Sequence, residues 1–76
     1  MENSIDVAME MNHGKAIIFT DNKRKARRIR GALKDMGLLF CTCHLLGSDE
    51  SWTFTVKRCR KQMLNLAFAI DDIERG

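Results

Sequence analysis

Seventy-six residues, 45% hydrophobic and 30% charged, make one small globular domain spanning 1–76. They leave no room for a second core or for the two-lobed cleft of most enzymes. Thirteen Lys and Arg against ten Asp and Glu give a net charge of +3 and a pI near 9.0, which points to acidic or polyanionic partners.

The N-terminus carries Glu2 and Asp6 and no basic segment, so it does not read as a secretory signal. Residues 1–4 are expected to be flexible. Ile5, Val7, Met9 and Met11 then alternate with polar or small residues, the period of a half-buried strand. A short helix or a loose arm over 4–12 is the competing reading. Asn12-His13-Gly14 signals a turn, and Lys15–Thr20 is a second strand rich in β-branched residues.

Asp21 is the expected N-cap of a helix over about 22–36 that stops at Gly37. Ala26, Ile29, Leu33 and Met36 form its apolar stripe. Gly31 interrupts the helix away from that stripe, either as a tolerated weakness or as a point where a partner backbone approaches. A third strand is expected over 38–46 and a polar loop over 47–51. Trp52–Val56 makes a fourth strand, with Trp52, Phe54 and Val56 facing the core. A second helix, starting near Lys57 or Arg58, buries Cys59, Met63, Leu66, Ala67, Ile70 and Ile73. The resulting ββαββα order predicts an α+β fold, a four-stranded, largely antiparallel sheet with two helices on one face. The two ββα halves echo one another in Phe19-Thr20 and Phe54-Thr55, each followed by a basic cluster.

Charge is unevenly spread. Seven of the thirteen basic residues lie between Asp21 and Gly37, beside only two acids. At 100° per residue, Lys23, Arg27, Arg30 and Lys34 share one flank of the first helix, with Arg24 and Arg28 further round. Lys57, Arg58, Arg60 and Lys61 form a second cluster, expected at the start of the second helix. Cations at a helix N-terminus oppose the helix dipole and cost up to about 1 kcal/mol each, yet the same arrangement attracts phosphate. These residues therefore read as a nucleic-acid contact led by the sugar–phosphate backbone. Zinc-finger spacing, a GxxG clamp and an aromatic RNP motif are all missing from the sequence. The plainer alternative is a solvated helix face.

Cys41-Thr42-Cys43-His44, even with Cys59, matches no common zinc spacing, and strand alternation sends His44 to the face opposite Cys41 and Cys43. All three cysteines are expected to pack in the core, with no metal and no cofactor. Being odd in number and without secretory context, they read as reduced thiols of a cytoplasmic protein. No run approaches the about 20 apolar residues of a membrane span. His44 has no evident acidic partner, and no nucleophile–base pair can be assembled, so a non-enzymatic role is expected.

Leu64 and Phe68 lie opposite the second helix's core stripe and are expected to form a contact surface, homodimeric or for another protein. A second functional reading follows from them. The chain is then a protein-binding inhibitor or adaptor of the type used by phages and mobile elements, docking on an acidic host protein through its basic helix and this apolar surface.

Overall fold

The computed structural model describes residues 6–76, so the expectation for residues 1–4 and the placement of Ile5 lie outside the described residues. Strand β1 (Val7–Asn12) and strand β2 (Lys15–Thr20) form a hairpin closed by His13 and Gly14. Both turn residues have left-handed backbones, φ 52° and 78°, as a two-residue turn that follows strand twist requires. Residues 7–12 are thus a strand and not a helix or arm.

Helix α1 spans Lys23–Asp35. Its cap is Asn22 rather than Asp21: the Asn22 Oδ1 accepts the Lys25 N–H at 3.0 Å, while buried Thr20 Oγ1 accepts the Asn22 N–H at 3.1 Å. Asp21 is left exposed in the connecting bend. At the other end the Gly37 N–H bonds the Lys34 carbonyl and the Leu38 N–H bonds the Leu33 carbonyl, both at 3.0 Å. This closure needs the left-handed Gly37, φ 69°, and tucks Leu38 into the core. Gly31 has helical backbone and open space where a Cβ would stand. Gly31→Ala is accordingly expected to stabilise the fold by about 0.5–1 kcal/mol and Gly37→Ala to cost about 1–2 kcal/mol, read as opposite shifts in a urea midpoint.

Strands β3 (Leu39–Leu45) and β4 (Ser51–Lys57) form the second hairpin. The second helix starts later than its charges suggest. Arg58 takes a left-handed turn, φ 58°, and Arg60–Gln62 form one 3-10 turn before helix α2 (Met63–Arg75) begins. Lys57 and Arg58 are therefore strand end and turn, and neither loads the α2 dipole. Cys59 plugs this connection from inside. Its N–H and its thiol both reach the Gly14 carbonyl, at 2.9 and 3.3 Å, pinning the second ββα unit to the turn of the first.

The sheet order is β1-β2-β4-β3, antiparallel throughout, with Ile18 opposite Phe54 at its centre. Each ββα unit contributes one central strand and one edge strand. Both helices cover the same face: α1 touches β2, β4 and β3, and α2 lies along β1 and against α1. Between sheet and helices sit Ile18, Phe54 and Val56 with Ile29, Leu33, Leu66, Ile70 and Ile73, all buried. Lys25 ties the layers at their margin, its ammonium 3.0 Å from both the Asp6 carboxylate and the Glu74 carbonyl.

The opposite face of the sheet has no covering layer among the described residues. It exposes Ile17, Phe19, Leu39 and Leu45, together with Cys41 and Cys43. The expected burial of all three cysteines thus holds for Cys59 alone. β3 is an edge strand whose outer face meets solvent, so alternation placed Cys41 and Cys43 outward. No helix among the described residues is long and apolar enough to cross a membrane.

Candidate nucleic-acid interface

α1 crosses the sheet without covering the far end of β3, and a cleft of about 240 Å³ opens there. Lys23, Ala26, Arg27 and Arg30 form its helical wall. Thr42, His44, Trp52 and Phe54 form its sheet wall, with Glu50 at the rim. The i, i+4, i+7 spacing of the three cations follows the helix turn, so their side chains leave α1 on one flank. That flank faces the cleft because Ala26, between them, is buried and small enough to let the backbone sit close to β4.

Lys23, Arg27 and Arg30 are exposed, and the ion pairs among the described residues include none of them. α1 also has no acidic residue in its first turn. Three cations thus share one concave surface, and the carboxylate on its rim, Glu50, is bonded to His44 rather than to any of them. Their mutual repulsion is tolerable only while water screens it, and an anion in the cleft would relieve it.

The sheet wall is aromatic. The rings of His44 and Trp52 are cross-strand neighbours, stacked with centroids 4.7 Å apart and planes within 14°. The imidazole Nε2 lies 2.8 Å from the Glu50 Oε2, so the acid that sequence reading did not find comes from the loop leading into β4. Glu50 thereby holds the His44 ring flat against Trp52. Trp52 is only half-buried, while Phe54 is fully buried and meets Phe40 in a tilted pair with centroids 6.0 Å apart and planes at 55°. Trp52 does face the helix side of the sheet and packs against the core, as expected, while the uncovered end of β3 leaves part of its ring in the cleft. An indole beside guanidinium groups offers a base a π face as well as a charge.

The remaining basic residues lie elsewhere. Lys34 is exposed in the last turn of α1 and Arg24 and Arg28 are exposed on the same helix, none of them lining the cleft. Lys57, Arg58 and Arg60 gather with His13 and Lys15 around a separate depression, and Lys61 is exposed beside it in the 3-10 turn. Trp52 and Lys57 stand at opposite ends of β4, so the two basic regions are roughly 17 Å apart at strand rise. They form two separate basic regions.

Among the described residues no three of His, Cys, Asp and Glu converge as metal ligands. His44 points to the helix side of β3 and Cys41 and Cys43 to the open side, which separates the Cys-Thr-Cys-His run into two faces. Leu64 and Phe68 project from α2 at 69% and 65% exposure. Comparison with known proteins gave no matching family, no matching curated protein and no matching solved structure.

Proposed function

We propose that this chain is a non-enzymatic nucleic-acid-binding protein that grips a strand through its phosphates. The observation that carries the reading is the cleft wall of Lys23, Arg27 and Arg30, which make no ion pair among the described residues, facing Trp52. Lys34, Arg24 and Arg28 extend the positive field along α1. Lys57, Arg58, Arg60 and Lys61 offer a second contact, reached by a strand about five nucleotides long at 3.4 Å per nucleotide. Contacts of this kind position a backbone and carry little sequence information. Trp52 is the single tryptophan, so its fluorescence reports the cleft directly. Oligonucleotide should change that fluorescence in the parent chain and need about a hundredfold higher concentration to do so when Arg27 and Arg30 are both alanine; an unshifted titration after the double replacement would place the ligand elsewhere.

The exposure of Leu64 and Phe68, i and i+4 on α2, supports the second reading of an inhibitor or adaptor that docks on an acidic protein. Under that reading Phe68→Asp abolishes capture of the protein partner yet shifts folding stability by less than about 0.5 kcal/mol, because the ring is already in water. Calorimetry of the variant checks the second half independently: cooperative unfolding at a much lower temperature would mean that Phe68 belongs to the core.

A further inference from the structure

The β3 edge of the sheet, unpaired among the described residues, has a two-fold pattern. β3 reads Leu39-Phe40-Cys41-Thr42-Cys43-His44-Leu45. About Thr42, each residue is matched by one of its own kind: Cys41 with Cys43, the ring of Phe40 with that of His44, and Leu39 with Leu45. An antiparallel copy of the same strand laid against this edge with Thr42 opposite Thr42 brings every one of those pairs together.

β3 is also unguarded. Edge strands are ordinarily protected from pairing by charge, proline, a bulge or shortness. β3 is seven residues long, pairs without a bulge to β4, and contains no acidic or basic residue other than His44. Six of its seven residues are exposed, with Leu39 at 72% and Leu45 at 58%. The other edge, β1, carries Glu10.

We propose that two copies of this chain associate through β3, antiparallel and centred on Thr42, to continue the sheet to eight strands. The contact is isologous, with the same patch used on both sides. On the open face it pairs Leu39 with Leu45 of the second copy twice over, covering the largest exposed side chains of the strand. On the helix face Phe40 of one copy meets His44 of the other and extends the Trp52–His44 stack. Main-chain bonds along the edge supply affinity, and the side-chain pairs fix the register. The two α1 helices, each centred on β4, stand three strand spacings apart, roughly 14 Å. Their basic flanks lie on the β3 side of each helix and so face each other across the two-fold, and the contact is expected to tighten as salt screens that repulsion. The proposal is independent of the nucleic-acid reading, and either can fail alone.

The register makes a cysteine test specific. Cys41 of one copy lies opposite Cys43 of the other, and cross-strand Cβ atoms at about 4.5–5.5 Å are close enough to bridge with slight adjustment. Full-length Cys41→Ser and Cys43→Ser variants are mixed and treated with copper–phenanthroline, which accepts the two electrons given up as two thiols lose their protons and join. The mixture should yield covalent dimer, whereas either variant alone should yield little, since each remaining thiol then faces serine. Buried Cys59 takes no part. In parallel, Leu45→Asp sets a carboxylate against Leu39 of the second copy at both ends of the contact, on the open face away from the cleft cations, and should weaken the dimer about tenfold or more in sedimentation, with unchanged circular dichroism. A parent chain that stays monomeric at high micromolar concentration overturns the proposal. So do single variants that cross-link as well as their mixture, or a dimer that survives Leu45→Asp and is lost with Phe68→Asp.

Discussion

Replacing Arg27 and Arg30 together by alanine is expected to lower affinity for a nucleic-acid strand about a hundredfold at low salt. Each guanidinium that meets a phosphate makes a charge-assisted bond, and about 1.4 kcal/mol per contact is a factor of ten. The loss should be nearly the same for unrelated sequences, because the lost bonds go to the backbone and not to base edges. Folding should be untouched: both side chains stand in solvent on the flank beside the buried Ala26, Ile29 and Leu33. Arg24 and Arg28, on the same helix but outside the cleft, serve as the matched control, since a purely nonspecific positive field would make all four equivalent. Fluorescence anisotropy with labelled RNA and duplex DNA reads the difference.

Phe54→Ala is expected to abolish the folded state at 37 °C. The ring is 1% exposed, sits on a central strand opposite Ile18, and packs on Phe40. Truncating a buried aromatic costs about 3–5 kcal/mol, and a domain of this size has at most the low end of the usual 5–15 kcal/mol to lose. Phe19→Ala removes the same group from the open side of the sheet, where the ring is 39% exposed, and should cost well under half as much. Thermal melts of the two variants therefore fix which face is the core. Equal melting temperatures would contradict the assignment.

The fold was legible in the sequence wherever local pattern and tertiary burial agree. Val7, Met9 and Met11 alternate with polar or small neighbours because β1 is covered on one side only, and Gly37 ends α1 because that closure needs a left-handed residue. Errors arose where neighbouring elements decide. Asp21 and Asn22 are both good caps, and the choice fell to Asn22 because Thr20 orients it from the strand before. Lys57 and Arg58 looked helical because nothing local announces that Cys59 must first reach Gly14, 45 residues away in sequence.

Half of the candidate site was equally readable. The cations of α1 follow from helical spacing alone. The aromatic wall does not, since it depends on the β3–β4 register that sets His44 against Trp52 and on where α1 stops covering the sheet. Alternation correctly set Cys41 and Cys43 on the face opposite His44, but their expected burial rested on the usual habit of cysteine, and sequence does not show which face of the sheet the helices leave uncovered. The symmetry of β3 about Thr42 takes on meaning only once that strand is known to be unpaired on one side.

The most direct test of the central claim is a salt titration of binding to duplex DNA and single-stranded RNA by the parent chain and by Arg27→Ala. Neutralising each phosphate releases condensed counterions, so the affinity should fall with salt at a log–log slope of about −0.9 per duplex contact. Contacts from the three cleft cations Lys23, Arg27 and Arg30 predict a slope of roughly −3, steeper where the Lys57–Lys61 cluster is also engaged and shallower by about one in Arg27→Ala. Absence of binding to either ligand at ~50 mM salt, where phosphate-driven association is strong, would contradict the account.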